Sequence, residues 1–338
     1  MLEKVWTAFV LTGTIALMGC TIHHHHHGDS SAPSPETTQQ RGTSQPPPPE
    51  ATRDRDERSG LASSSDRRRW TDRFAMGRDG GCELDADDEL VCWGDEGLIA
   101  NLPRGPFVQL DIYARHGCAL STEGEVVCWG DNDRGQLESP SGRFVEVRVG
   151  LNFSCALDEA GQIHCWGDED GGRTIPPRGR FTRLSVGSLH GCGILDNGDA
   201  QCWGIYEDHV RGPFVDIGAG HAHSCGLLQD GEIHCWGSNT FHKTESPAGR
   251  FERMPFGEVA TCAIDDRGEV FCWGYLFDTG RVLDRRFREL VIGVSEVCGL
   301  TDDGEVLCKR IDDPDRNQVE SEDTVERPGS TSPGPLAF

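Results

Sequence analysis

The sequence predicts an all-β fold: a seven-bladed β-propeller with one disulfide-stapled hairpin per blade, preceded by a signal peptide and a disordered linker. Three observations predict it. The spacing Cys-x9-Cys occurs seven times: Cys82 with Cys92, Cys118 with Cys128, Cys155 with Cys165, Cys192 with Cys202, Cys225 with Cys235, Cys262 with Cys272, and Cys298 with Cys308. The first cysteines recur at steps of 36, 37, 37, 33, 37 and 36 residues. The same companions return around each pair: Trp-Gly after six of the second cysteines, Phe eleven residues before the first in six units, and Gly five before it in six, with Tyr113 the exception. A fixed period of this length marks stacked supersecondary units, none of which buries its apolar face alone.

Composition narrows the function classes. Of 338 residues, 56 are acidic and 32 basic, a formal net charge of −24. Phosphate binding needs clustered Lys and Arg, so this acidity argues against nucleic acid as a partner, and equally against adsorption to anionic lipid through a basic face. Fifteen cysteines do not suit a reducing cytosol. The one long apolar stretch lies at the extreme N-terminus, which argues against an integral membrane protein.

Residues 1–19 read as a lipoprotein signal peptide. The apolar run over 5–18 has the length of a signal-peptide core and ends in Leu17-Met18-Gly19-Cys20. That ending resembles the bacterial lipobox, which makes Cys20 the lipidated first residue of the mature chain; an ordinary cleaved signal with an incidental cysteine is the alternative. Residues 20–69 form a disordered Pro-, Ser- and His-rich linker, too poor in large apolar side chains to offset its ordering entropy. It tethers the folded domain away from the membrane. The tract His23–His27 reads as a linker feature without a defined site, with weak divalent-metal capture as the alternative. The propeller spans 70–308, and 309–338 is a disordered acidic tail. Nearly all the net charge falls on 70–308, because acidic and basic residues balance in the linker.

Each unit is a hairpin with a third strand in front of it. In Cys118-Ala-Leu-Ser-Thr-Glu-Gly-Glu-Val-Val-Cys128, two short apolar runs flank a polar turn. Gly124 of that turn has counterparts at Gly161, Gly198, Gly231, Gly268 and Gly304; Asp88, one of the few residue types that tolerates positive φ, stands there in the first unit. This is a three-residue hairpin loop closed by a bulge residue in the left-handed region. Folding about Glu123 pairs Leu120 with Val126, Ala119 with Val127 and Cys118 with Cys128. The cysteine Cα atoms then lie roughly 4.5 Å apart, within reach of a disulfide. All fourteen repeat cysteines therefore pair inside their own hairpins, which leaves Cys20 as the odd one out. Zinc is the rival reading, but no Cys-x2-Cys knuckle occurs. Leu120 and Val126 on one side, with Ala119, Val127 and Trp129 on the other, make both faces apolar, as a sheet inside a radial stack requires. Segments such as Phe144-Val-Glu-Val-Arg-Val-Gly150 supply the leading strand. Seven such units close into a ring without exposed edges.

The run Gly-x-x-His-Ser-Cys-Gly-Leu…Asp-Gly-Glu-Ile-His-Cys-Trp-Gly, from Gly220 to Gly237, resembles the repeat of the regulator of chromosome condensation (RCC1) family. The second unit extends the likeness through Trp129-Gly-Asp-Asn-Asp-Arg-Gly-Gln-Leu137. The resemblance covers 70–308 and implies the propeller. Compact repeats, intrablade disulfides, an export signal and an acidic domain liken the chain to bacterial exported members, including the secreted β-lactamase-inhibitor propeller. In related propellers an N-terminal strand completes the last blade. The seventh unit ends Cys308-Lys309-Arg310 without Trp, and the segment Trp70–Met76 is the expected closing strand.

No Gly-x-Ser-x-Gly, His-Glu-x-x-His, P-loop or dinucleotide fingerprint appears, so no enzyme, cofactor or metal site is expected. His116, His190 and His223 each stand two residues before a first cysteine but in different units, and read as hydrogen-bonding residues that tie strand to loop. The repeated Trp residues read as interblade packing rather than stacking platforms. Asp131-Asn-Asp-Arg-Gly135 and Asp168-Glu-Asp-Gly171 are similar to calcium loops but lack the later bidentate Glu, and read as solvated turns. The segments after each Trp-Gly differ freely from unit to unit. They carry the candidate binding residues Tyr206, Phe241, Leu276 and Phe277, side chains of the kind that dominate binding energy.

A rigid scaffold with variable loops points to a non-enzymatic cell-surface or envelope lipoprotein that binds another protein. Its expected partner presents a basic patch to the acidic domain, and its contact with the membrane is the lipid anchor alone. A monomer in the bacterial envelope, at the outer membrane or cell surface, is the expected state. A glycan- or peptidoglycan-binding lipoprotein is the alternative. Guanine-nucleotide exchange on a small GTPase is implied by the family resemblance alone, and export argues against it.

Overall fold

A computed structural model of the chain describes residues 69–310, apart from 79, 276, 284 and 295. The signal peptide, Cys20, the His23–His27 tract, Leu276, nearly all of the linker and most of the tail lie outside the described residues. The described chain is nearly all β, in seven antiparallel sheets of three or four strands.

Blade 1 comprises β1 (Phe74–Met76), β2 (Gly80–Leu84) and β3 (Leu90–Gly94), and blade 2 comprises β4 (Phe107–Tyr113), β5 (His116–Ser121) and β6 (Val126–Gly130). Blade 3 holds β7 (Phe144–Val149), β8 (Phe153–Asp158) and β9 (Ile163–Gly167). Blade 4 holds β10 (Phe181–Val186), β11 (His190–Leu195), β12 (Ala200–Gly204) and a short outer β13 (His209–Val210). Blade 5 is β14 (Phe214–Ala219), β15 (His223–Leu228) and β16 (Ile233–Gly237). Blade 6 is β17 (Phe251–Arg253), β18 (Ala260–Asp265), β19 (Val270–Gly274) and an outer β20 (Phe277–Leu283). Blade 7 is β21 (Phe287–Ile292), β22 (Glu296–Thr301) and β23 (Val306–Arg310). The first strands of all seven sheets line one central cavity of about 620 Å3, which makes the array radial.

The hairpin register is the expected one. Cys118 faces Cys128, Ala119 faces Val127 and Leu120 faces Val126, with Gly124 at φ 84°. Asp88 takes the same turn position at φ 62°. All seven expected disulfides form, each within its own hairpin. Cys82 bonds to Cys92, Cys118 to Cys128, Cys155 to Cys165 and Cys192 to Cys202. Cys225 bonds to Cys235, Cys262 to Cys272 and Cys298 to Cys308. Their Cα–Cα separations are 4.0 to 4.1 Å, a little closer than the non-hydrogen-bonded pairing alone suggests. The expectation of two apolar faces holds less well. Leu120, Val126, Ala119 and Trp129 are buried, but Val127 is 37 % exposed. It sits on the third strand, and no fourth strand covers blade 2.

Apolar cores lie between blades rather than within them. Ala75, Leu84 and Leu90 of blade 1 pack with Phe107, Leu110 and Trp129 of blade 2, and the pattern repeats around the ring. The repeated Gly before each inner turn has a local cause. A Cβ on Gly187 would drive into the Gly220 carbonyl oxygen of the next blade, so side chains are excluded where the two backbones meet.

Ring closure differs from expectation. β1, within the Trp70–Met76 segment, does not complete blade 7; it pairs with β2, Ala75 opposite Cys82, as the inner strand of its own blade. Blades 7 and 1 meet side by side, with the Thr71 amide donating to Glu289 Oε2 at 2.9 Å. The leading segment has the same relation to Cys82 that every other leading strand has to its own first cysteine, and that local pairing wins.

Candidate functional site: the central channel and the rim loops

Each inner strand leaves one edge facing the next blade, and its amides need acceptors. Side chains of the preceding blade supply them. The Val147 amide donates to Gln109 Oε1 at 2.9 Å, and the Val149 amide to Asp111 Oδ2 at 2.9 Å. The Leu184 amide donates to Glu146 Oε2 at 3.2 Å, and the Ala219 amide to Ser185 Oγ at 2.9 Å. A bulge after the first Phe of these strands, as between Phe107 and Gln109, accompanies this placement.

Charges in the channel neutralise one another. Arg148 reaches Glu146 at 2.8 Å, and Arg253 reaches Glu289 at 3.3 Å. Burial raises the carboxyl pKa values of Asp111, Glu146 and Asp216 above their ordinary range, against the pull of Arg148. Burial opposes the charge on Arg148, yet Glu146, Asp111, Asp72 and Asp216 around it hold its pKa above the ordinary value. These groups act as mortar between blades. Among the described residues no group of three or more His, Cys, Asp or Glu is placed to hold a metal ion.

The mouth of the channel at the inner turns carries a polar tie across three blades. Ser188 Oγ donates to Glu258 Oε1 at 3.2 Å and accepts from the Tyr113 hydroxyl at 2.7 Å. Burial and the Glu258 carboxylate push the Tyr113 pKa well above the phenolic range. Tyr113 stands where six units carry Gly, and its side chain spans from blade 2 to blade 4.

The three buried histidines tie blade to blade, rather than strand to loop. His116 Nε2 meets Ser154 Oγ at 3.0 Å, His190 Nε2 meets Ser224 Oγ at 2.8 Å, and His223 Nε2 meets Thr261 Oγ1 at 3.1 Å. Each hydroxyl sits immediately before the first cysteine of the following blade. Burial lowers the pKa values of His116 and His190 to about 4 and of His223 to about 3, so all three are neutral at physiological pH. The Trp residues act between blades as expected. Trp166, Trp203 and Trp273 donate Nε1–H to the carbonyls of Gln136, Arg173 and Lys243, at 2.9, 2.9 and 3.0 Å, on the preceding blade's rim loop.

The rim loops after Trp-Gly do not differ as freely as their sequences do. In blades 2, 3 and 5 they share a backbone hydrogen bond, the amides of Gly135, Gly172 and His242 donating to the carbonyls of Asn132, Glu169 and Asn239, and blades 2 and 5 share their side-chain bonds as well. The Leu137 amide donates to Asn132 Oδ1 and the Thr244 amide to Asn239 Oδ1, while Ser139 and Ser246 hydroxyls donate to the carbonyls of Val126 and Ile233. Gln136, Arg173 and Lys243 are buried at one equivalent position. Of the sequence-predicted binding residues, Phe241 is 55 % exposed and stands edge-on to Tyr275, with ring centroids 4.8 Å apart. Tyr206 is half-buried, edge-on to His190 at 5.4 Å. Phe277 is partly buried against the core shared by blades 6 and 7.

Three segments, residues 107–136, 144–173 and 214–242, match the model of the Regulator of chromosome condensation (RCC1) repeat. The chain carries RCC1-like repeats on a β-propeller. Its structure is similar to the entire ectodomain of the Physcomitrella patens receptor kinase CR4, at 25 % identity and a TM-score of 0.61, over 70 % of this chain and 72 % of that one. It is similar to the CRINKLY WD40 ectodomain of the Arabidopsis thaliana receptor kinase ACR4, at 22 % identity and a TM-score of 0.58, over 70 % of this chain and 94 % of that one. Prp20p of Saccharomyces cerevisiae, whose binding to Gsp1p and histones is described, is similar at 15 % identity and a TM-score of 0.52, over 60 % of this chain and 71 % of that one. No curated protein matches the chain in sequence.

Two features of this RCC1-like propeller escaped the sequence reading. The exposed Tyr275 was hidden because its significance depends on Phe241, 34 residues earlier in the chain. The Tyr113–Ser188–Glu258 tie had one visible signal, the missing Gly at position 113. Seven disulfides in so compact a domain belong to an oxidising compartment and therefore to an exported or extracellular protein.

Proposed function

We propose that this RCC1-like propeller is a non-enzymatic envelope lipoprotein, anchored through Cys20, whose rim loops bind another protein bearing a basic patch. One observation carries the reading. Nine large apolar side chains are exposed among the described residues, and five of them (Ile99, Ile175, Ile205, Phe241 and Tyr275) lie on the segments that follow Trp-Gly, Ile99 at the end of a short helix there. The other four are valines on strands. Apolar side chains gathered on loops of a covalently stapled scaffold fit a surface that is desolvated on binding. The acidic domain accelerates encounter with a cationic surface and makes the association salt-sensitive.

Chemical crosslinking in intact cells, followed by purification of the propeller at low and at high salt, tests the reading. One stoichiometric protein lost at high salt supports it. Co-purifying wall polysaccharide, indifferent to salt, replaces it with glycan binding. A Cys20→Ser chain that stays as membrane-bound as the parent removes the lipid anchor from the proposal.

A further inference from the structure

The rim loop of blade 5 displays an aromatic ring at a conformational cost. Phe241 and His242 adopt φ values of 63° and 58°, in the left-handed region that side chains avoid. The blade 3 loop has the same length and the same burial of its following cation, and there the two positions are Gly171 and Gly172, at φ 69° and 75°. Glycine is the residue this loop calls for. In blade 3 the absent side chain is used for packing: a Cβ on Gly171 would lie 2.6 Å from Ile205 Cγ1 of the next blade. In blade 5 the residue equivalent to Ile205 is Tyr275, and the ring of Phe241 stands against it instead of making room for it. Both rings remain substantially exposed, at 55 and 40 %. Strained backbone that presents an exposed side chain is the pattern of a functional position rather than a structural one.

The electrostatic setting selects the occupant. Glu245, on the same loop, is held below the usual carboxylate range by hydrogen bonds from Asn239 and His242, and so stays ionised. The exposed carboxylates Glu169, Asp170 and Glu207 lie on the two preceding rim loops. Lys243, the loop's cation, is buried beneath. Two exposed aromatic rings, with an ionised carboxylate on the same loop of an acidic domain, suit a planar cation, which stacks on a ring while its N–H groups reach carboxylates.

We infer that Phe241 and Tyr275 form a ledge on blades 5 and 6 that receives an arginine side chain from a basic segment of the partner protein. The inference rests on the rim-binding reading above and names the place and the chemistry within it.

Fluorescence anisotropy of the full chain with three labelled nonapeptides tests it. One peptide alternates Arg with Leu, the second replaces every Arg with Lys, and the third replaces every Arg with Glu. The Arg peptide is expected to bind at low salt, at least fivefold tighter than the Lys peptide, with no binding of the Glu peptide. Phe241→Gly suits the loop's backbone, so its melting temperature should stay within a few degrees of the parent while Arg-peptide affinity falls at least tenfold. Tyr275→Ala should also lose affinity, and Phe241→Trp should keep it. Equal binding of the Arg and Lys peptides, unaffected by Phe241→Gly, overturns the ledge and leaves the acidic rim standing. No binding of either basic peptide overturns both. Sedimentation that shows a dimer broken by Phe241→Gly assigns the ledge to a second copy of this chain and overturns the arginine reading.

Discussion

Glu289 Oε2 accepts the amide of Thr71 at 2.9 Å across 218 residues of sequence, and this bond seals the junction between the last blade and the first. Gln109 and Glu146, at the position of Glu289 in their own blades, likewise accept amides of the next blade, those of Val147 and Leu184, so a side-chain acceptor serves at this junction as at the others. The junction closes through a side chain rather than through a shared strand.

Glu289→Ala strips the Thr71 amide of its acceptor and leaves Arg253 without its partner. The expected loss is about 1–3 kcal/mol, the cost of stranding partly buried polar groups. Glu305→Ala breaks the exposed Arg285 pair and should cost less than about 1 kcal/mol. Urea unfolding midpoints measure both, and equal losses would mean that the junction carries no special weight.

Acid should weaken the propeller through its histidines. His116, His190 and His223 have folded pKa values of about 4, 4 and 3, below the ordinary value of 6.5. Below that ordinary value the unfolded chain binds protons that the folded chain refuses, so their contribution is complete above it and shrinks as pH falls toward about 4. The raised carboxyl pKa values of Asp111, Glu146 and Asp216 act in the opposite sense, because protonation relieves their burial. Replacing all three histidines with Gln isolates the first effect. The melting temperature of this variant should fall less steeply than the parent's between pH 6.5 and 4. Parallel curves would mean that the rings are hydrated and protonate freely.

Tyr113 should be a late-titrating tyrosine. The chain holds three tyrosines, and burial beside Glu258 keeps the Tyr113 hydroxyl protonated beyond the phenolic range. Ultraviolet difference spectra during alkaline titration should show a delayed step that vanishes in Tyr113→Phe. A step that persists assigns the delay to another ring. The same variant leaves Ser188 without its donor and should lower stability by about 1 kcal/mol.

Thiol labelling of unreduced, denatured protein should find at most one reactive cysteine, Cys20, since the other fourteen are paired. A Cys118→Ser, Cys128→Ser double variant opens one small loop and should lose roughly 2–3 kcal/mol by the chain-entropy model. A much smaller loss would mean that the hairpin persists in the unfolded chain.

What was legible in the sequence is local. The pairing of Cys118 with Cys128, the left-handed Gly124 and the leading strands all follow from contacts within about a dozen residues, repeated until the pattern is unambiguous. Seven such units leave few ways to bury their apolar faces except by radial stacking, so the fold class followed as well. One interblade rule was also written in the chain without being readable alone: His two residues before a first cysteine occurs where the next unit has Ser or Thr one residue before its own, as in His190 and Ser224.

The tertiary structure decided the rest. Thr71, which stands where other units carry Phe, concealed that Trp70–Met76 belongs to blade 1. The rim loops of blades 2 and 5 differ in sequence yet share their turn, because Asn132 and Asn239 fix it while exposed positions vary. Only the fold placed Tyr113 over Ser188 and Phe241 beside Tyr275. Their meeting depends on the curvature of the ring, and no period in the sequence encodes which side chains that curvature brings together.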